Sequence, residues 1–349
     1  MTEGSLMRPL SVSEHDAWDG FVAASATGTV FHTAWWHRAW GADVTVLARK
    51  DGDGNIEAGL PMHIGKFPSF MGALGVRGIR RPPLTQLNGP VFNGCAKTNR
   101  SSAYSHTKRE LLRAITSLPQ MGFYDFALGR STEDIMPFLW NGFDAIVHYT
   151  YIIRATDAEG WRRNMSEHAR RALKGAHKEG RELGCAVEAD PPFEDIKPLL
   201  VETSRAKRFS YDRYMDRLPT WWAEVKRRDA GRSYVLRGGD GSPLCASCMV
   251  WDGRSAYCLL TGMRREVRRD SHLTRLLFER MITDSLAEGR DFDFEGSSLI
   301  GVEHFFRGWG GELRPYYRVT KMPSAFAYLG WTGYIYLKKH RRRGWVAPD

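Results

Sequence analysis

The sequence predicts an α+β protein in which helices form layers on sheets, with two such units following one another along the chain. The order helix, strand, Asp-Gly turn, strand, helix, strand occurs in residues 30–130 and again in residues 215–297. The chain also has 349 residues, which exceeds the length at which one hydrophobic core usually stops growing. We therefore expect two tandem domains of ordinary size.

The first repeat begins with a Trp-rich helical segment, TAWWHRAW, followed by the apolar strands VTVLARK and IEAGLPMHI. The turn DGDG joins these strands, and an Asp-Gly pair between apolar runs is the strongest short signal for a β-hairpin. A helix, KRELLRAITSLPQMG, then leads into the strand FYDFALG. Residues 65–110 are rich in Gly, Pro and Arg and are too long for a simple connection, so they predict a functional loop.

The second repeat contains the helix RLPTWWAEVKRR, the strands SYVLRG and PLCASCMVW around the turn GDGS, and a long helix that leads into FDFEGS. The long helix is predicted because apolar residues recur near a period of 3.6 and Gly289 follows the last of them. These residues are Leu273, Leu276, Leu277, Met281 and Leu286. A helix that leads into a buried strand indicates a βαβ-like layer.

Composition excludes several classes of protein. With 42% hydrophobic and 26% charged residues, the chain is typical of soluble globular proteins and unlike disordered or fibrous ones. The N-terminus has acidic residues and no apolar run with basic flanks, so a secretory signal is not predicted and a cytoplasmic location is expected. Cys245 and Cys248 have CxxC spacing without a second ligand pair. We interpret them as buried side chains of a strand, and we expect no metal.

Positive charge is concentrated in two short segments. The formal net charge is +10, of which residues 161–183 contribute +4 and the run KKHRRR at 338–343 contributes +5. Such clustering favours polyanionic partners such as RNA, nucleotide-bearing substrates or an acidic membrane surface. The alternative, a solvated helix face with a basic tail, stays open.

A polar helix is predicted between the two repeats. One face of this segment is apolar, and it consists of Trp161, Met165, Ala169, Ala172 and Ala176. The opposite face is basic, and its residues Arg170, Arg171 and Lys174 are candidates for contacts with nucleic acid. A linker helix that packs on one domain by its apolar face is the competing interpretation.

The stretch FDFEGSS indicates a strand that delivers a carboxylate to the edge of a sheet. Phe292 and Phe294 alternate with Asp293 and Glu295, so the aromatic and acidic side chains face opposite sides. Gly296 then permits a sharp turn. A carboxylate at such a strand end can act as a general base or orient an amine, which makes Glu295 a catalytic candidate. A surface salt bridge is the alternative.

The following segment, LIGVEHFFRGWGG, predicts a short helix that ends in a glycine-rich loop. Arg307 is placed at the helix C-terminus, where it is a candidate for catalysis or, alternatively, satisfies the last carbonyl groups of the helix. His304 falls on the polar side of the helix and is a secondary candidate for proton transfer, although lone histidines are more often structural.

The ordered set of these motifs resembles the FemAB-like branch of the GNAT acyltransferase superfamily, which includes peptidoglycan bridge-forming aminoacyltransferases. The motifs that carry the resemblance are the tandem units, RRALKGAHKEG, GRDFDFEGSS and GVEHFFRGWGG, and they span nearly the whole chain, from VFHTAWWHRAW to PYYRV. The resemblance implies transfer of an acyl or aminoacyl group to an amine. It also implies a first GNAT-like domain on the acceptor side and a second on the acyl-donor side. The predicted segments are 1–156, a basic linker or arm at 157–190, 191–325, and a tail at 326–349.

The resemblance also assigns residues of the donor site. In the bridge-forming relatives an aromatic-Lys pair serves this site, and here the corresponding pair is Phe306 and Arg307. Arg keeps the positive charge but cannot be deprotonated, so it can stabilise an oxyanion or bind a phosphate and cannot shuttle a proton. Where GNAT enzymes that use acetyl-CoA have a Gly-rich loop, this chain has RREVRRDSHLTR. Arg268 and Arg269 of that segment are candidates for contacting donor phosphates by charge.

For the acceptor, aromatic and basic side chains of both repeats are candidates. The substrate-binding residues predicted are Trp36, Arg38, Lys207, Arg208 and Tyr211, with His32 and Trp35 nearby. Their basic character fits an amine acceptor that carries phosphate or carboxylate. Trp and Tyr at helical spacing are usually core residues, which is the alternative for each aromatic side chain.

We therefore expect an N-acyltransferase with no tightly bound cofactor and with its acyl donor as a co-substrate. Aminoacyl-tRNA is slightly favoured over an acyl thioester because the Gly-rich loop is missing. An enzyme dependent on acyl-CoA or an acyl carrier, in cell-envelope, polysaccharide or natural-product biosynthesis, is the first alternative. A non-catalytic RNA-binding or membrane-surface protein is the second, because the run at 322–337 and the basic residues after it could lie on an anionic membrane.

Overall fold

The computed structural model describes residues 6–41, 43–66, 72, 75–94, 99–207, 214–265, 267, 272–296, 299–323, 328–329 and 332–333. Contacts divide the chain into one unit formed by Met1–His148 with Pro315–Asp349, and a second unit formed by Tyr149–Arg314. These units divide the chain at other positions than the four predicted segments, whose boundaries stay a prediction. Among the described residues, no helix is both long and apolar enough to cross a membrane.

The first unit combines helices with a mixed sheet. Its helices are α1 (His15–Ala24), α2 (Ala34–Ala39), α3 (Arg100–Thr116) and α4 (Met136–Trp140). Its strands are β1 (Arg8–Pro9), β2 (Val44–Lys50), β3 (Ile56–Lys66), β4 (Arg77–Arg80), β5 (Val91–Phe92), β6 (Tyr124–Ala127), the start of β7 (Asp144–Ile153) and the end of β13 (Glu312–Lys321).

The predicted hairpin of the first unit is present. β2 and β3 pair in antiparallel fashion from Val44↔His63 to Lys50↔Ile56. The turn is held by Asp51, whose Oδ1 accepts the backbone N–H groups of Asp53 at 2.9 Å and Asn55 at 2.8 Å. β3 pairs with β4, β4 is parallel to β6, and β6 pairs with the end of β13.

The second unit has the same combination of elements. Its helices are α5 (Trp161–Asn164), α6 (Glu167–Glu182), α7 (Phe193–Lys207), α8 (Leu218–Arg227), α9 (Thr274–Ala287) and α10 (Ile300–Arg307). Its strands are the end of β7, β8 (Ala186–Ala189), β9 (Gly231–Arg237), β10 (Pro243–Trp251), β11 (Ser255–Met263), β12 (Asp291–Asp293) and the start of β13.

The strands of the second unit follow one another from β8 through β9, β10, β11 and β12 to β7. Only β11 and β12 are parallel in this series, because α9 carries the chain from the end of one strand back to the start of the other. Cys245 and Cys248 lie on β10 with 0% exposure, and burial raises the pKa of Cys245 to about 12. Their interpretation as buried strand residues agrees with this position.

Helix α6 packs by its small apolar side chains, as its sequence pattern predicts. Ala169, Ala172 and Ala176 are buried, and so are Trp161 and Met165 just before the helix. Ser166 is the N-cap of α6, since its Oγ accepts the N–H of Ala169 at 3.1 Å. Its own N–H donates to the carbonyl of Gly308 at 3.0 Å, which ties the start of α6 to the glycine-rich loop after α10.

Gly296 is required by the turn after β12. Its φ is 67°, and a Cβ at this position would lie 2.1 Å from the carbonyl oxygen of Tyr149. Gly289, which follows α9, has a φ of 73° and open space where a Cβ would be. We expect Gly289→Ala to lower the free energy of unfolding by about 1–2 kcal/mol, the cost of a left-handed conformation.

Gly296→Ala should lower the free energy of unfolding by at least about 1 kcal/mol more than Gly289→Ala does. The clash of the new Cβ with the backbone adds to the same conformational cost. Urea titration of both variants measures the difference. Equal losses would show that the turn can move away from Tyr149 without cost.

Candidate active site

The parallel strands β11 and β12 diverge in the second unit. They pair at three positions, from Ser255↔Asp291 to Tyr257↔Asp293. β11 continues to Met263 and stays paired with β10 over this length. After Asp293 the other strand turns away, since the N–H of Phe294 donates to the carbonyl of Tyr151 at 3.1 Å. Among the described residues, β12 therefore has no ladder pair with β11 beyond Tyr257, and we call the space beside the second half of β11 the gap.

A β-bulge lies at the start of this gap. The register of β10 and β11 shifts between Cys248, opposite Leu260, and Met249, opposite Cys258. Leu259 is consequently without an opposite residue in this ladder. Bulges re-aim backbone groups and are frequent next to active sites. The backbone at Leu259 can therefore present a hydrogen-bond donor to a ligand in the gap.

Glu295 lies at the turn that follows β12. Its side chain is 5% exposed and its φ is 63°, a left-handed conformation that costs of the order of 1–3 kcal/mol for a residue with a long side chain. The Glu295 N–H donates to Oδ1 of Asp293 at 2.8 Å, and the same oxygen accepts the hydroxyl of Thr150 at 2.6 Å. Because Glu295 is buried, the alternative of a surface salt bridge does not apply.

The thiol of Cys258 lies in the interior where β11 and β12 stop pairing. Burial raises the pKa of this thiol to about 11, and the carboxylates of Glu295 and Asp293 act in the same direction. Hydrogen bonds from Ser247 and Thr261 oppose the increase. Cys258 is the first residue of β11 beyond the last pair with β12, so the carboxylate acts where the strands begin to diverge.

Arg307 belongs to a short chain of polar contacts on α10. Oε1 of Glu303 accepts the hydroxyl of Tyr151 at 2.6 Å, and Nε of Arg307 lies 3.3 Å from the same oxygen. Burial raises the pKa of Tyr151 to about 12, and the hydrogen bond to Glu303 acts in the same direction. The Arg307 side chain is 57% exposed, so Glu303 holds a guanidinium group that still faces solvent.

The carbonyl groups at the end of α10 are bonded to backbone amides. The N–H groups of Gly308, Trp309 and Gly310 donate to the carbonyls of His304, Phe306 and Arg307 at 3.1 Å each. The guanidinium of Arg307 is therefore not needed as a cap for these carbonyls. Gly310 is required here, because a Cβ would lie 2.2 Å from the carbonyl oxygen of Asn164.

Residues 162–307 match the family described as Acetyltransferase (GNAT) domain. This range contains β11, β12, Glu295 and Arg307. Residues 162–307 therefore form a GNAT-type domain, and the chain as a whole has a fold similar to that of FemX and of a tandem GNAT protein. The tandem GNAT-like, α+β fold class that the sequence predicts is thereby confirmed.

Three solved structures illustrate the similarity of fold. FemX is 11% identical with a TM-score of 0.58, and the match covers 89% of this chain and 97% of that one. A tandem GNAT protein from the clavulanic acid biosynthesis pathway is 10% identical with a TM-score of 0.51, covering 91% and 99%. L-PGS from Bacillus licheniformis is 12% identical with a TM-score of 0.50, covering 91% and 94%. No curated protein matches the chain at a significant level.

Two further predicted residues of the GNAT-type domain lie on α10. His304 is exposed, as expected for the polar side of the helix. Phe306 is 9% exposed and packs in an aromatic cluster, with its ring centroid 5.0 Å from that of Phe294 and 6.2 Å from that of Phe278. Its position is that of a core residue, next to the strand that carries Glu295.

The predicted acceptor residues of the first unit are also largely internal. Trp36 is fully buried, and its Nε1 donates to the hydroxyl of Thr85 at 2.8 Å. Nη1 of Arg38 lies 2.7 Å from Nδ1 of His15. Lys207 ends α7. The remaining candidates, Arg208, Tyr211, Arg268, Arg269 and the basic run at 338–343, lie outside the described residues, as does the Lys207 side chain.

The three candidates for nucleic-acid contacts share the exposed side of α6. Arg170, Arg171 and Lys174 are exposed, together with Lys178 and Arg181 one to two turns later. We call these five residues the basic face. It extends over roughly 16 Å at 1.5 Å per residue. Arg171 pairs with Glu167 on the helix surface, and exposed pairs of this kind are weak and easily exchanged for another anion.

Sequence reasoning missed two parts of this site. Tyr151 contacts Glu303 across 152 positions of the chain, and no local signal connects them. The bulge at Leu259 depends on a register shift between two strands. Near the bulge, the sequence shows small, polar residues at Cys258 and Ser247. In the structure their side chains lie 3.5 Å apart.

Proposed function

We propose that this acyltransferase joins an activated acyl group to an amine, with the acyl group held in the gap between β11 and β12 of the second unit. The observation that carries the proposal is the early end of the parallel ladder at Tyr257 and Asp293. An extended acyl donor can lie beside β11 between Cys258 and Gly262 and use its backbone groups, whereas the N–H of Met263 already donates to Oγ1 of Thr203 at 2.9 Å. The donor carbonyl then reaches the bulge at Leu259, where an N–H can stabilise the developing oxyanion.

Glu295 is the proposed general base. An amine that attacks the carbonyl forms a C–N bond, loses a proton, and expels the alcohol or thiol of the donor. The carboxylate of Glu295 can accept that proton, because it is buried beside the gap and its backbone is fixed by Asp293 and Gly296. The proton then passes to the leaving group, so that no covalent enzyme intermediate is needed.

Arg307 is the proposed contact for negative charge on the donor. Its guanidinium is exposed, carries a positive charge, and is held by Glu303 on the helix that follows Glu295. It therefore binds a donor phosphate or stabilises the oxyanion and carries no proton. His304 is exposed one turn earlier and is proposed as a secondary proton carrier.

Aminoacyl-tRNA is the proposed donor. Five cations on the basic face of α6 support this proposal, because they form a continuous exposed surface in the same unit as the gap. The family match to acetyltransferases favours the second candidate, an acyl thioester. A screen that offers charged tRNA and acyl-CoA separately, each with a primary-amine fraction and a labelled acyl group, distinguishes the two by which label enters an amide.

The tRNA proposal predicts an effect of the basic face on the salt dependence of binding. Replacing Arg170, Arg171 and Lys174 by Gln should reduce the slope of log K against log salt by about 2 to 3, since each lost phosphate contact removes about 0.7–0.9. Filter binding of tRNA between low and physiological salt measures the slope.

The control removes the same charge elsewhere on the surface. Arg8, Arg100 and Arg227 are exposed and lie away from α6 in the sequence. Their replacement by Gln should leave the slope near that of the unmodified protein. If both triple variants behave alike, the basic face is a solvated helix surface and the thioester donor is favoured.

A further inference from the structure

A pocket lies entirely within the first unit, where the parallel strands β4 and β6 separate. The two strands pair at Ile79↔Tyr124, and the pocket begins beyond this pair. Its volume is about 330 Å³, which is in the range of small-molecule sites. This arrangement corresponds to the gap between β11 and β12 of the second unit, although its walls differ in chemistry.

The wall of the pocket is built by the segment between β4 and β5. Asn88 fixes this segment to β6, because its N–H donates to the carbonyl of Ala127 at 2.9 Å and its Oδ1 accepts the Ala127 N–H at 2.7 Å. Thr85 lines the pocket and is held from behind by the indole of Trp36. Leu84, with a φ of 50°, completes the turn. The pocket thus has a fixed polypeptide wall.

The lining carries an excess of positive charge. Arg80, Arg81 and Arg318 face it, and Asp125 is its acidic residue. Arg318 binds Asp125 through two hydrogen bonds of 2.7 and 2.9 Å, while Nε of Arg81 lies 4.0 Å from the same carboxylate. One carboxylate therefore faces three guanidinium groups, which leaves a net charge of +2 on the lining.

Neighbouring titratable groups respond to this charge. Burial and the charge of Arg80 together lower the pKa of His63 to about 4, against the opposing effect of Asp43. Burial also lowers the pKa of His148, and Arg318 and Arg81 act in the same direction against Asp125. The positive charge of the pocket lining thus acts on two neighbouring histidines, His63 and His148.

The side chain of Arg80 occupies space that is open because residue 65 is a glycine. A Cβ at Gly65 would lie 2.7 Å from Cδ of Arg80, so the arginine crosses β3 where this strand has only hydrogen. Nη1 of Arg80 donates to the carbonyl of Lys66 at 3.2 Å. This contact leaves several of the five N–H donors of the guanidinium for another acceptor.

We propose that this pocket binds an anionic group, a phosphate or a carboxylate, through Arg80 and Arg81. Two guanidinium groups offer bidentate donors that match both oxyanions, and Asp125 holds Arg318 in the wall by its two hydrogen bonds. The volume accommodates the anionic group with a small organic part attached. We assign this group to the amine acceptor, an assignment that rests on the proposed function.

The test is the binding of inorganic pyrophosphate, inorganic phosphate and citrate to the full chain by calorimetry. Arg80→Gln and Arg81→Gln should each weaken the preferred anion about 10-fold or more, the effect of losing a charge-assisted contact. Arg77→Gln is the matched control, because Arg77 lies on the same strand, is exposed, and does not line the pocket. Gly65→Ala should weaken binding as well, since it displaces Arg80 without changing charge.

Preference for pyrophosphate or phosphate identifies a phosphorylated ligand, and preference for citrate identifies a carboxylate. Equal binding by the parent, Arg80→Gln and Arg81→Gln, or binding of none of the three anions by the parent, overturns the proposal. Binding is read without any acyl transfer, so its outcome is separate from that of the proposed function. If a bound anion fails to compete with the amine in a transfer assay, the assignment to the acceptor is wrong. The proposal that the pocket binds an anion is then unaffected.

Discussion

Glu295→Gln is expected to lower turnover about 10²- to 10⁴-fold, the range typical for loss of a general base. The substitution keeps the shape of the side chain and the left-handed backbone, so it removes the proton acceptor and little else. The deficit should shrink at alkaline pH, because an amine with a pKa near about 10 then arrives without its proton. Initial rates across pH, with the donor identified by the screen, measure both effects.

Two further variants of Glu295 serve as controls. Glu295→Asp keeps a carboxylate at a different distance and should retain more activity than the Gln variant. Glu295→Gly should lose activity while relieving the backbone strain, because glycine adopts a φ of 63° without cost. Near-normal turnover of the Gln variant would mean that the buried carboxylate is structural.

Elements with a local signal were predictable from the sequence. The hairpin of β2 and β3 follows from its Asp-Gly turn, and α9 follows from its apolar period and from Gly289. The apolar face of α6 is also local, and its residues are buried as the pattern indicates. Strand β11 was absent from the predicted order, since its polar residues Ser255 and Thr261 interrupt the apolar pattern.

The candidate site was predictable only in part, because its geometry depends on contacts between distant residues. Alternation along the strand predicts Asp293 and Glu295 opposite the aromatic side chains, but β12 ends at Asp293 and Glu295 lies in the turn that follows it. The burial of both carboxylates depends on contacts such as that with β7, where Thr150 donates to Asp293. The pairing of Arg318 with Asp125 spans 193 positions and leaves no trace in either segment. Long-range pairing of this kind is decided by tertiary structure.

Aromatic residues illustrate a further limit. The sequence predicts Trp36 and Phe306 as substrate contacts, but both lie in the interior of their units. Large aromatic side chains dominate cores as well as binding sites, and a helical spacing of Trp does not distinguish the two. Trp36 still contributes indirectly, because its indole holds Thr85 in the wall of the anionic-group pocket.

Arg307→Ala is expected to lower turnover about 10²-fold or more, the usual effect of losing one stabiliser of a developing oxyanion or a bound phosphate. Its effect on stability should be small. The carbonyls at the end of α10 are bonded to backbone amides, and the pair with Glu303 is more than half exposed on the arginine side. Turnover and the thermal midpoint of the purified variant are the two measurements.

The choice of controls decides what a loss of turnover means. Arg314→Ala removes another exposed arginine of the same unit, paired with Glu312, and should leave turnover unchanged. Arg307→Lys retains the charge without the bidentate geometry, so partial activity identifies charge as the main contribution. Glu303→Gln keeps Arg307 but loosens its support, and it should raise KM for the donor more than it lowers kcat. Normal turnover of Arg307→Ala with a lowered midpoint would restrict Arg307 to its pair with Glu303 and leave the oxyanion to the backbone at Leu259.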